Sequence, residues 1–215
     1  AMELFAASGC AEVNFGIQTA NAESRKHLLR RSESNERVRD LILRAHELKM
    51  MIELDLIVNL PGETDEHLDE SLDFVAETRP EQVNMSYLQY FPKTKITQEA
   101  IAMNVLDAQD IEAINQGRRI RPMRALPTNC PSVRYLVLPF QLYLARAFGK
   151  PFGLRAARWM ERPPMRWICA STAGAFIYLD RFIRSMSNKR DFAIRNQCFF
   201  LMYATLEMLR RKLRM

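Results

Sequence analysis

Three short stretches alternate apolar and polar residues with a period of two. AEVNFGIQ (11–18), MMIELDLIVNL (50–60) and VNMSYLQY (83–90) therefore read as strands. The segments between them carry apolar residues at helical spacing. ESRKHLLRR (23–31) reads as a short basic helix, and NERVRDLILRAHELK (35–49) as a longer one with Asn35 as its cap and Glu36 in its first turn. TDEHLDESLDFVAETR (64–79) reads as a helix with Thr64 at the N-cap and acids in the first turn, where the helix dipole favours them. Residues 2–8 have the pattern of the last turns of a helix stopped by Gly9. Strands and helices alternating at these lengths predict parallel pairing through right-handed crossovers.

The strands also differ across their two faces. Val13, Phe15 and Ile17 share one face against Asn14, Gly16 and Gln18; Ile52, Leu54, Leu56 and Val58 oppose Glu53, Asp55 and Ile57; Val83, Met85 and Tyr87 oppose Asn84, Ser86 and Leu88. A sheet covered by helices on both faces gives near-continuous apolar runs, whereas a barrel wall has one face under helices and one facing the lumen. The pattern predicts part of a (β/α)6 TIM-like barrel with a wide, polar lumen. Asp55 then lies near the C-terminal end of its strand, where barrel enzymes place their chemistry. A carboxylate there needs a cation, hydroxyls or another donor. A basic residue of HLLRR is one candidate partner, and a ligand is the other. Glu53 and Asp55 alone supply too few ligands for a metal-dependent lyase.

Composition changes the picture in one respect. The formal net charge of +6 conceals an acidic half and a basic half: residues 1–110 carry 11 Lys/Arg against 20 Asp/Glu, and residues 111–215 carry 20 against 5. Cys10, Cys130, Cys169 and Cys198 have no CxxC, CxxxC or Cys/His ligand spacing, so they read as free thiols of a cytoplasmic protein. Ala1-Met2-Glu3 lacks the basic start of a secretory signal, and no apolar run reaches the roughly 18 residues of a membrane span.

GCAEVNFGIQTAN, LRR, IELDLIVNLPGET and YLQYFPKTKI occur in an order that resembles the C-terminal half of the radical S-adenosylmethionine barrel, over roughly residues 1–117. The likeness is nearest to the cobalamin-binding-domain-containing members. It implies a lumen holding a [4Fe-4S] cluster and S-adenosylmethionine, which is cleaved to a 5′-deoxyadenosyl radical that abstracts hydrogen from a substrate. The resemblance implies that Gln18 contacts the S-adenosylmethionine and that Arg30 or Arg31 binds its carboxylate end. It implies that Asp55 accepts from the ribose hydroxyls and that Ile57 and Val58 lie against adenine. Pro61-Gly62 then shapes the rim, and Asn59 stands where relatives usually have Gly.

One departure is large. The CxxxCxxC whose thiolates hold the cluster occurs nowhere in the 215 residues. Either the chain is a piece whose N-terminal half carries the cluster and cobalamin sites, or the chemistry is lost; the first is preferred. A half barrel alone exposes strand edges and is expected to be poorly soluble.

DAQDIEAINQGRR (107–119) reads as a helix closed by Gly117, followed by a Pro- and Arg-containing linker, RIRPMRALPTNCPSVR. VRYLVLPFQLYLARAF, AGAFIYLDRFIRSM and CFFLMYATLEMLRRKLRM then read as amphipathic helices studded with Arg. The expected division is 1–106 for the barrel half and 107–215 for a helical basic extension. That extension either caps the barrel or lies on a membrane surface; nucleic acid is the weaker partner, since no recognised binding motif is present. The leading expectation is the distal part of a cobalamin-dependent radical S-adenosylmethionine enzyme, a C-methylase or a ring-forming enzyme, acting on a small-molecule or lipid-like substrate. The rival is a non-catalytic binding module with a membrane-surface tail.

Overall fold

A computed structural model describes residues 1–120, 132–165 and 168, all within the unit Ala1–Ala170. The chain runs α1 (Met2–Ala7), β1 (Glu12–Gln18), α2 (Ala22–His27), α3 (Asn35–Glu47), β2 (Met51–Val58), α4 (Asp65–Thr78), β3 (Gln82–Tyr87), α5 (Lys95–Ala102), α6 (Ala108–Asn115), α7 (Ser132–Phe148) and α8 (Phe152–Trp159). The strands form one parallel sheet in the order β1-β2-β3, consistent with part of an α/β barrel.

The apolar face of the sheet makes the main core. Ile52, Leu54, Leu56 and Val58 are buried against Val38, Ile42 and Ala45 of α3 and Leu68, Leu72 and Val75 of α4. The opposite residues of β2, Met51, Glu53, Asp55 and Ile57, are only half-buried. In β2 the two-faced pattern of the sequence is thus the pattern of burial, whereas in β3 Val83, Asn84 and Met85 are all partly buried. Tyr135, Leu138, Leu142 and Ala145 of α7 enter the same core. A smaller cluster of Tyr90, Ala100, Leu106 and Ile114 joins α5 and α6 to the chain after β3.

Several local expectations are corrected. The basic helix stops at His27, because the backbone turns left-handed at Arg30 (φ 53°) and Arg31 is drawn back to the carbonyl of Gly16. Ser34, rather than Asn35, caps α3: its Oγ accepts from the Arg37 N–H at 3.2 Å, while Asn35 Nδ2 donates to the Ala20 carbonyl at 2.8 Å. Thr64 is the N-cap of α4 but makes no side-chain cap bond. β3 ends at Tyr87, short of Tyr90; α5 arises where no helix was expected, and α8 lies in the extension expected to be helical but outside the helices picked out there.

Gly9 (φ +84°) and Gly117 (φ +71°) follow α1 and α6 as expected. AGAFIYLDRFIRSM, CFFLMYATLEMLRRKLRM, most of the linker, Cys130, Cys169 and Cys198 lie outside the described residues. Among the described residues no helix is long and apolar enough to cross a membrane.

α7 and α8 are held by close contacts. A Cβ on Gly153 would lie 2.6 Å from the Leu144 carbonyl, so glycine is what lets α8 approach α7. Buried Gln141 donates to the Ala157 carbonyl at 3.0 Å and to Glu161 at 2.8 Å. Arg134, also buried, pairs with Asp69 of α4 and with Glu161 beyond α8. Burying a cation this far requires such partners.

Candidate functional site

The polar face of the sheet carries a connected set of carboxylates and amides. Glu53 accepts from Asn14 Nδ2 at 3.3 Å, from Gln82 Nε2 at 2.8 Å and from Asn84 Nδ2. Asn84 Nδ2 also lies 3.0 Å from Asp55 Oδ1, and Gln82 Nε2 donates to Asn84 Oδ1 at 2.8 Å. Register explains the network: Asn14 pairs with Glu53, Glu53 with Gln82 and Asp55 with Asn84. Residues paired across a sheet share a face, so one row of side chains meets the next.

The site therefore has two carboxylates solvated by amides. Asp55 bonds Asn84, not a cation from HLLRR. Its Oδ2 has no protein donor among the described residues and the residue is only partly buried, which leaves it able to accept from a ligand. Ile57 follows Asp55 on the same face, about 6.6 Å further along the strand, and is half-buried. A carboxylate followed by an apolar contact at that spacing suits a ligand with hydroxyls at one point and a flat apolar ring at the next.

The C-terminal end of β1 adds a second group. The pairing with β2 shifts between Phe15 and Gln18, so Gln18 comes beside Leu56, between Asp55 and Ile57 in register. Gln18 has φ 68°, and its side chain folds over Gly16: a Cβ there would lie 2.3 Å from Gln18 Nε2. Arg31 Nη1 donates to the Gly16 carbonyl, so Gln18 and Arg31 meet at one point. Beside them lies a cavity of about 430 Å³ lined by Asn14, Gly16, Arg25, Arg31, Glu33 and Arg37, among others; neither Asp55 nor Ile57 lines it. Burial pushes the Arg25 guanidinium below its ordinary value. Arg30 is exposed. Val58, at 3% exposure, is sealed in the core on the face opposite Asp55 and Ile57.

Residues 1–75 match the family model of the Radical SAM superfamily. No curated protein matches the chain. The matched segment is about a third of the chain and contains β1, β2, Gln18, Arg30, Arg31, Asp55, Ile57 and Val58. The match points to an enzyme and to radical S-adenosylmethionine chemistry in general. The Radical SAM superfamily generally uses S-adenosylmethionine and a [4Fe-4S] cluster; the match does not distinguish a cobalamin-binding type.

The described residues suit the two cofactors unequally. The Asp55–Asn84 pair with Ile57 beside it offers an acceptor and an apolar contact, the chemistry that a ribose and an adenine would need. The cluster has no such fit. Cys10 is the one cysteine described, its Sγ donates to the Glu12 carbonyl at 3.2 Å, and no group of three His, Cys, Asp or Glu among the described residues could hold a metal.

Sequence reading missed Glu63. It is 2% exposed, in the rim turn after β2, and accepts from the Asn59 N–H at 2.7 Å and from the Tyr135 hydroxyl at 2.6 Å. Burial raises its pKa from 4.5 to about 7. Tyr90 nearby has its hydroxyl buried with no hydrogen-bond partner among the described residues, and burial together with the Glu63 charge raises its pKa too. Asn59 takes φ 66°, which Asn tolerates better than most residues, and the bond to Glu63 ties the turn.

Proposed function

We propose that the polar face of this sheet holds S-adenosylmethionine in a radical S-adenosylmethionine enzyme. The observation that carries the reading is the Asp55–Asn84 pair beside Ile57, at the C-terminal end of β2 and inside the segment that matches the superfamily. In this reading Asp55 accepts from the ribose hydroxyls, with Asn84 holding the carboxylate in place. Ile57 supports the adenine, and Gln18 with Arg31 approaches the amino-acid end. Arg31 is preferred to Arg30 because it already reaches the end of β1. Held here beside a reduced cluster ligated elsewhere, S-adenosylmethionine would supply radical chemistry at a substrate C–H bond, and the residues of this face would serve to bind and orient it. In this reading the cluster ligands would come from outside the described residues. A small-molecule or lipid-like substrate, and cobalamin-dependent methylation or related C–H chemistry, are the finer form of the proposal.

Calorimetric titration of the full chain with S-adenosylmethionine tests the binding step without a cluster. Measurable affinity, lowered about tenfold or more by Asp55→Ala, supports the reading. Equal affinity in both proteins, or none in either, overturns it.

A further inference from the structure

Among the described residues, nothing covers one face of α8. Its buried residues, Gly153 and Ala157, lie against α7, which fixes the opposite side outward. Phe152 is 62% exposed and Trp159 50%, and Phe148 at the end of α7 is 52% exposed. With about 100° between successive helical residues, Phe152 and Trp159 fall about 20° apart, and Arg155 and Arg158 flank them about 60° and 120° from Phe152. Phe148 extends the aromatic sector by packing edge-on to Phe152, centroids 5.5 Å apart. Arg162, just beyond the helix, is exposed as well. None of the three arginines has an ion-pair partner among the described residues, whereas Lys150 beside them is engaged by Asp73 and Glu77.

Three large aromatic side chains facing water cost free energy. Here the aromatic and cationic residues are separated into adjacent sectors, as on a helix that lies in a bilayer interface with rings inserted and guanidinium groups at the phosphates. Phe148 and Phe152 pack edge to face, so one ring's face is taken up by the other's edge, a poor arrangement for stacking successive bases of a single strand.

We propose that the α7–α8 corner docks on the surface of an anionic lipid bilayer, with Phe148, Phe152 and Trp159 entering the interface and Arg155, Arg158 and Arg162 contacting headgroup phosphates. The lipid class is set by charge: each arginine near an anionic surface contributes about fivefold in affinity. The docking does not depend on what the sheet binds.

The test uses the full chain and vesicles of phosphatidylcholine with and without phosphatidylglycerol. Flotation should show binding to the anionic vesicles and not to the neutral ones. R155E/R158E/R162E should weaken it about a hundredfold, and F152S/W159S by about tenfold or more. Trp159 and Trp167 are the two tryptophans of the chain. In a W167F background, Trp159 emission should therefore shift to the blue with anionic vesicles and be quenched by brominated lipid. This readout stands even where a multiple variant fails to fold, which near-UV circular dichroism detects. Four results overturn the proposal: no binding to anionic vesicles, equal binding by the wild type and folded patch variants, an unquenched Trp159, or displacement from vesicles by a single-stranded oligonucleotide that binds the same arginines.

Discussion

The two faces of the three-stranded sheet are built from the same backbone and obey different rules. On one, Ile52, Leu54, Leu56 and Val58 are excluded from water by α3 and α4. On the other, Asn14, Glu53, Asp55, Gln82 and Asn84 spend their hydrogen bonds on one another and leave acceptor capacity open. A fold needs only the first face. The second contributes little by burial, and two carboxylates two residues apart repel each other. Such an arrangement is suited to receiving donors from a ligand.

That contrast can be broken from either side. The largest effect is expected from Leu54→Ala, which opens a cavity in the middle of the apolar face. Stability should fall by about 3 kcal/mol in denaturant unfolding. A loss under 1 kcal/mol would mean that the helices do not seal this face. Glu63 sits at the boundary of the two faces. Its folded pKa of about 7 stands above the ordinary 4.5, so the stability it contributes is fully present below pH 4.5 and is lost as pH rises through 7. Converted by linkage this is roughly 3 kcal/mol. Glu63→Gln should remove that part of the slope in a pH series of melts, and an unchanged slope would contradict the assignment. Asp55→Asn should leave stability within about 1 kcal/mol, because Asn84 keeps an acceptor, while lowering affinity for S-adenosylmethionine about tenfold. Gly16→Ala is the mildest change. The added methyl meets the movable end of Gln18, so stability should change by about 0.5 kcal/mol or less, with a several-fold loss of affinity if Gln18 contributes to binding. Unaltered affinity would remove Gln18 from the site.

Much of the sheet was legible because its signal is local. Alternation within β2 separates Glu53 and Asp55 from Leu54 and Leu56 without knowledge of anything else. Caps were less legible, since Ser34 and Asn35 are both good cap residues and only the carbonyl of Ala20 decides between them. α5 and α8 have eight residues each, too few turns for a period to stand out. The partners of Glu63 were out of reach for a different reason: Tyr135 is 72 positions away, and no local pattern marks a carboxyl that will be buried beneath a later helix. The polar partners of Asp55 were visible as a face, but that an amide rather than an arginine meets it follows from register, which the sequence does not state.

The most direct test of the sheet's role is a nitrogen-15 amide titration of the full chain with S-adenosylmethionine. Bound ligand on the polar face predicts shifts concentrated at Gln18, at Asp55 to Val58 and at Asn84, saturating together with one dissociation constant. Shifts confined to the distant cavity lined by His46, Lys49, Arg79 and Arg146, or no shifts at saturating ligand, would contradict the account.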